Sequence, residues 1–163
     1  MRQTTFDKTI ELGKERDAKL VLEIGGIRNP DGQVGDGHST IIWCDNFERV
    51  ISVDIDENAT KLTKELTNNR AEAITSDAIE FIKNFHEKID ILYLDAWDVG
   101  TENFAENHLE FFKLAEKNLH DKSLVLIDDV ALNDMGKGKL VIPYMQSKGW
   151  KPVLIHYQGL FSK

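Results

Sequence analysis

Five short apolar runs, alternating with helical segments and each carrying an acid at or just beyond its end, constrain this chain more than any other feature. The runs are Leu20-Val21-Leu22-Glu23-Ile24, Val50-Ile51-Ser52-Val53-Asp54, the weaker Ala71-Glu72-Ala73-Ile74-Thr75, the stretch from Ile89 to Asp95, and Leu124-Val125-Leu126-Ile127-Asp128. Runs this short and this apolar suit strands buried on both faces, as in a parallel sheet covered by helices. Helical spacing fills the intervals. Leu62 and Leu66 share a face after Asp56, a candidate N-cap, and Ile79, Ile82 and Phe85 follow the third run. Phe104, Phe111, Phe112, Ala115 and Leu119 make the clearest apolar stripe, and Leu140, Val141, Tyr144 and Met145 make another. Phe6 and Ile10 predict one amphipathic helix before the first strand, a short lid that leaves a site open. The chain closes with Trp150 to Ile155, a break at Gln158-Gly159, then Leu160-Phe161, which reads as one last strand or a terminal hairpin.

Repeats, linkers and low-complexity stretches are absent from the sequence, so residues 1–163 read as one α/β domain. Acids outnumber bases, 28 against 20, for a formal net charge of −8. That argues against nucleic acid and an anionic membrane as partners, since both need a basic face. The single cysteine, Cys44, can form no internal disulfide. No run of apolar residues is long enough to span a bilayer, and the first residues lack an apolar signal core, so the expected location is cytoplasmic.

In an open α/β sheet, ligands bind beyond the carboxyl ends of the strands, near the point where strand order reverses. What ends each strand therefore matters. The first ends in Glu23-Ile24-Gly25-Gly26, the second in Asp54-Ile55-Asp56, and the third runs into Ser76-Asp77-Ala78. The fourth ends in Asp95-Ala96-Trp97-Asp98 and the fifth in Asp128-Asp129. The resulting rim is negative and suits a cationic ligand or a metal. A long loop separates the first strand from Gly35-Asp36-Gly37-His38-Ser39-Thr40. This segment reads either as part of a cofactor site or as a flexible turn in which Ser39 or Asp36 caps the next helix. Arg28 is the one cation expected near the rim, so a zwitterion with a sulfonium and a carboxylate fits better than a diphosphate.

These residues, Val21 to Gly26, Val53 to Asp56 and Ser76 to Ala78, resemble the first three motifs of class I S-adenosylmethionine-dependent methyltransferases in order and spacing. The resemblance implies a doubly wound, mostly parallel seven-stranded sheet with its last strand antiparallel. It implies that Glu23, Gly25 and Gly26 flank the methionine part of the cofactor, with Gly37, His38 and Ser39 nearby. Asp54 would accept hydrogen bonds from the ribose hydroxyls, and Asp77 with Ala78 would lie near the adenine. Asp54 also has a plain structural reading, as the N-cap neighbour of the next helix.

The fourth and fifth strand ends carry a narrower resemblance, to catechol O-methyltransferase and its metal-dependent relatives. It implies that Asp95, Asp128 and Asp129 hold Mg²⁺ or another divalent cation, which lowers the pKa of an acceptor hydroxyl. The alternative is that these acids simply close buried strands. Three positions depart from that group: Ala96 replaces a histidine, Asp98 stands in place of a lysine base, and Asp129 replaces an asparagine. Asp95, which would also border the cofactor, and Asp98 are the candidate catalytic residues. Trp97 reads as a wall of the pocket or as core. The remaining histidines, His108 included, read as surface or capping residues, and Gly136-Lys137-Gly138-Lys139 reads as a solvated helix start and not a phosphate loop.

The sequence thus predicts methyl transfer from S-adenosylmethionine to an oxygen, or else a nitrogen, of a small-molecule acceptor, with a homodimer able to complete the open site. The rival readings are a cofactor-binding sensor or subunit of the same fold, a nicotinamide-dependent oxidoreductase and an RNA methyltransferase. The loop after the first strand disfavours the oxidoreductase, and the net charge disfavours the RNA enzyme.

Overall fold

Seven strands form one sheet: β1 (Leu20–Ile24), β2 (Arg49–Asp54), β3 (Ala71–Thr75), β4 (Ile91–Leu94), β5 (Leu124–Ile127), β6 (Lys151–Ile155) and β7 (Gly159–Ser162). The computed structural model describes residues 2–31 and 38–163, so Gly35, Asp36 and Gly37, and with them the expected cofactor contact of Gly37, lie outside the described residues. Strand order is β3-β2-β1-β4-β5-β7-β6. The first five strands run parallel, and β7 runs antiparallel to both β5 and β6. The chain winds outward from β1 to β3, then returns to lay β4 on the other side of β1. The order therefore reverses between β1 and β4, where a ligand crevice is expected.

Among the described residues, six α-helices cover the sheet: α1 (Arg2–Glu15), α2 (Ser39–Asn46), α3 (Glu57–Leu66), α4 (Ala78–Asn84), α5 (Phe104–Ala115) and α6 (Val141–Ser147). Strand side chains alternate between faces. Leu22, Ile24, Leu92, Leu94, Val125 and Ile127 pack with α4, α5 and α6, while Val21, Ile91, Tyr93, Leu124 and Leu126 pack with α1 and α2. The predicted strands are all present: β1, β2, β4 and β5 are buried on both faces and so apolar almost throughout, whereas β3, at the sheet edge, alternates buried and exposed residues. The terminal segment is a hairpin whose last strand sits inside, between β5 and β6. Its outer strand β6 is mostly exposed and holds Pro152 beside a register shift, a placement an edge strand tolerates.

Two expectations about helices are corrected. The first helix does not cover the site. Phe6 lies edge-on to Trp43 and Tyr93, with ring centroids 5.0 and 5.7 Å apart, so the apolar side of α1 is used up on the sheet. On α3 the buried positions are Ala59, Thr60 and Thr63, with Leu62 and Leu66 only half-buried beside them. The threonine hydroxyls find partners without water: Thr63 accepts the Ile27 N–H at 2.9 Å, and Thr67, beyond the helix, donates to the Thr63 carbonyl at 2.7 Å. Asp56 caps α3 as predicted, accepting the Asn58 N–H at 2.8 Å. Asp56→Ala should cost about 1 kcal/mol and lower Tm by roughly 2–4 °C in a thermal melt; an unchanged Tm would remove the cap from the account.

Candidate active site

Beyond the carboxyl ends of β1, β2 and β4 lies a cavity of about 400 Å³, a volume suited to a small ligand or cofactor. Gly25, Asp54, Asp77, Ala78, Asp95 and Asp98 all line it. The crevice depends on Gly25. Its φ is 111°, and a Cβ there would lie 2.7 Å from the Asp95 carbonyl oxygen, so only glycine lets the ends of β1 and β4 come this close.

Asp54 is oriented by backbone. Its Oδ2 accepts the Gly26 N–H at 2.7 Å and its Oδ1 accepts the Asp56 N–H at 2.8 Å. Each oxygen keeps capacity for another donor, so a carboxylate held this way can also receive a pair of hydroxyls. Asp77 is the N-cap of α4, accepting the Glu80 N–H at 2.9 Å, and it lines the cavity as well. Each of these two acids thus combines a local backbone contact with a place on the cavity wall. Ile55, 73% exposed at the lip, adds apolar surface beside them.

Glu23, Gly26 and Ser39 are placed differently from the expectation that they border the cofactor. Strand alternation turns Glu23 to the α1–α2 side, where it is fully buried and not on the cavity wall. Ser39 Oγ donates to it at 2.5 Å, and Thr40 Oγ1 donates to its other oxygen. Ser39 is thus no helix cap but the first residue of α2, pinned to β1 through Glu23; His38 holds the N-cap position without a side-chain cap bond. Burial pushes the Glu23 carboxyl up to about 7, against the pull of the Ser39 and Thr40 hydroxyls and with a further push from Asp95. Gly26 acts through its N–H, which fixes Asp54.

The methyltransferase-domain family matches residues 33–130 of the sequence, about the span from the glycine segment to the end of β5. The chain belongs to this family. Among solved structures it is similar to a candidate caffeoyl-CoA O-methyltransferase from Staphylococcus aureus, at 18% identity and a TM-score of 0.69, covering 98% of this chain and 82% of that one. It is equally similar, at 12% identity and a TM-score of 0.69, to N-methyltransferase NodS from Bradyrhizobium japonicum WM9 in complex with S-adenosyl-l-homocysteine, covering 99% of this chain and 86% of that one. A curated relative, polyamine aminopropyltransferase from Thermococcus onnurineus (strain NA1), is 33% identical over 121 residues; the match takes in 66% of this chain and 39% of that protein's length. The fold and the family are thus those of S-adenosylmethionine-dependent methyltransferases.

In this methyltransferase domain the acids of β4 and β5 do converge. Asp95, Asp128 and Asp129 bring one carboxylate oxygen each within 4.8 Å of one another, a set of hard donors whose chemistry suits Mg²⁺. Another cation is already among them. Lys137, read from the sequence as part of a solvated helix start, is 1% exposed, with its Nζ 2.6 Å from Asp95 Oδ1 and 3.2 Å from Asp129 Oδ2. It comes from a 3₁₀ segment, Asn133–Gly138, that packs on α5 and α6 and folds back against Asp129, just beyond β5. Gly136, at φ 46°, makes the return feasible, since a Cβ there would lie 1.9 Å from the Asp129 carbonyl oxygen. Burial pushes the lysine pKa down, but Asp95, Asp129 and Asp128 outweigh it and hold the ammonium above its ordinary value. A divalent ion about 4 Å from that ammonium would meet a repulsion on the order of 8 kcal/mol at an effective dielectric of about 20. With Lys137 in place, the residues do not fit the metal.

Asp98 is also changed from its expected role. Arg28 grips it through two contacts, 2.9 and 3.2 Å, and holds its carboxyl below the ordinary range. A carboxylate so stabilised is a weak general base, and the pair instead forms a wall of the cavity. Trp97 adopts φ 46° and packs edge-on to His108, ring centroids 5.1 Å apart. His108 is not a surface residue: it is fully buried, with Nδ1 2.6 Å from the Phe104 carbonyl, and burial pushes its pKa down to about 4. Sequence reasoning missed both Lys137 and His108. For Lys137 the one available signal was a lysine between two glycines shortly after the Asp128-Asp129 pair.

Proposed function

We propose that this chain transfers the methyl group of S-adenosylmethionine to an oxygen of a small molecule, with a nitrogen as the alternative acceptor atom. The observation that carries the reading is Asp54. At the end of β2, on the cavity wall, its carboxylate is aimed by two backbone N–H groups and retains acceptor capacity for the two ribose hydroxyls. Asp77 and Ala78 would then border the adenine, with Ile55 offering apolar contact to one face of the ring. The sulfonium would sit over Gly25 and near Asp95, whose charge complements it.

In the transfer, a lone pair of the acceptor oxygen forms the new O–C bond as the S–C bond breaks. Sulfur keeps that bonding pair and becomes a neutral thioether, and the hydroxyl proton leaves to a base. Such a displacement gains most from in-line positioning. Asp95, on the cavity wall at the end of β4, is the residue proposed to orient the acceptor, with the Arg28–Asp98 pair framing its entry.

A second reading is favoured by the relative named polyamine aminopropyltransferase. A sulfonium can lose any of its carbon arms to a nucleophile, so the same cavity could serve transfer of an aminopropyl arm to an amine. Mass spectrometry separates the readings. Protein incubated with S-adenosylmethionine and a panel of hydroxyl and amine acceptors should release S-adenosylhomocysteine and acceptors heavier by one methylene. Turnover only with decarboxylated S-adenosylmethionine, leaving the methyl on sulfur, would replace methyl transfer with aminopropyl transfer. Tight binding of S-adenosylmethionine without any product would mark a sensor, and binding of neither sulfonium would end the proposal.

A further inference from the structure

Three carboxylates that converge beside a cofactor cavity need a cation, and the chain provides one from its own loop. Lys137 enters between two closely packed glycines: a Cβ on Gly136 would meet the Asp129 carbonyl just beyond β5, and one on Gly138 would lie 2.3 Å from Ile142 Cδ1 on α6. Its ammonium contacts Asp95 at 2.6 Å and Asp129 at 3.2 Å. Asp95 is fixed from a second side by Tyr93, whose hydroxyl donates to Asp95 Oδ2 at 3.3 Å and accepts from Gln158 Nε2 at 3.0 Å. The arrangement is built from four parts of the chain: the end of β4, the end of β5, the 3₁₀ segment and the turn before β7. A surface lysine that happened to fall on an acidic patch would be exposed and screened; this one is enclosed.

We infer that Lys137 is a resident cation that takes the place of a divalent metal in the Asp95–Asp128–Asp129 cluster, so that the site works without metal. The inference stands on this geometry and not on the reaction proposed above. It has a consequence for substrate class. A metal favours acceptors that can chelate it through two adjacent oxygens, whereas a site neutralised from within places no such demand on the acceptor.

The test is a titration with Mn²⁺, followed by calorimetry and by the loss of free-ion electron paramagnetic resonance signal, with Mg²⁺ as competitor. The wild type should bind no Mn²⁺ at this site, and S-adenosylhomocysteine should bind it equally well with or without a chelator. Lys137→Met should gain one Mn²⁺ site, lost again in the double variant Lys137→Met/Asp128→Asn, while Lys137→Arg should gain none. If Lys137→Met is unstable, Mn²⁺ should raise its Tm and leave that of the wild type unchanged. Mn²⁺ binding by the wild type that Asp128→Asn abolishes would overturn the inference. So would a Lys137→Met protein as blind to Mn²⁺ as the wild type, or one that Mn²⁺ fails to rescue while Lys137→Arg folds. None of these readouts depends on turnover, so failure here is distinct from failure of the methyl-transfer reading.

Discussion

Replacing Glu23 by Gln should make the fold sharply acid-sensitive between about pH 6.5 and 4, where the wild type changes little from the two groups concerned. The reason is a pair of opposed proton linkages. Burial holds the Glu23 carboxyl near 7 in the folded state against an ordinary 4.5, so between those values the folded chain binds more protons than the unfolded one. Its contribution to stability therefore falls as pH rises through that window. His108 runs the other way. Burial lowers it to about 4 from an ordinary 6.5, the folded chain binds fewer protons, and stability rises with pH across that interval. Each shift corresponds to about 3 kcal/mol, and the two windows overlap so far that their slopes nearly cancel.

Glu23→Gln removes one slope and leaves the other. Denaturant titrations at a series of pH values should show the variant losing about 3 kcal/mol relative to wild type as pH falls through the His108 window and regaining it as pH rises to 7, above which the two curves run parallel. His108→Leu should give the mirror image, with stability falling as pH rises from 4.5 to 7. Parallel stability curves for Glu23→Gln and wild type would mean that Glu23 titrates as an exposed carboxyl does, and the buried pairing with Ser39 and Thr40 would have to be abandoned.

Glu23 also shows how far the sequence reached. The central strands were legible because a sheet covered on both faces forces unbroken apolar runs, and the strand-end acids were legible because this topology puts ligands at carboxyl ends. Alternation along Leu22-Glu23-Ile24 already says that Glu23 faces away from its neighbours, yet nothing local says what it meets. Its partners Ser39 and Thr40 lie across a long loop and were read as turn and cap residues. The same limit hid Lys137, whose burial comes from a loop folding back through Asp134, Met135 and Gly136, all at positive φ. A pattern that scores charge as exposure assigns such a lysine to solvent. On α3, buried threonines misplaced the packed face for the related reason that their polarity is satisfied inside the protein, Thr63 by the Ile27 N–H and Thr60 by Thr75. Asp56, by contrast, acts on an N–H group two residues away, a contact visible from spacing alone, whereas the like role of Asp77 toward the Glu80 N–H emerged only from the structure.

Asp54→Ala should weaken binding of S-adenosylhomocysteine by roughly ten- to a hundredfold, the loss expected when a charged acceptor of about 1.5–3 kcal/mol is removed. The carboxylate does two jobs that the substitution ends together. It offers acceptors to a pair of ligand hydroxyls, and through the Gly26 N–H it ties the end of β1 to that of β2, while the Asp56 N–H fixes the turn that follows. Asp54→Asn separates them, since an amide can still accept one of the two backbone N–H groups but turns a donor toward the other. It should keep the melting temperature closer to wild type than alanine does while binding the ligand nearly as poorly. Calorimetry with S-adenosylhomocysteine, alongside thermal melts of both variants, reads the two effects apart. If alanine at this position left the affinity unchanged, the ribose would not be bound at β2, and the orientation of the cofactor in the cavity would have to be reversed or discarded. If both variants lost affinity only in proportion to lost stability, Asp54 would be a strap between strands and nothing more.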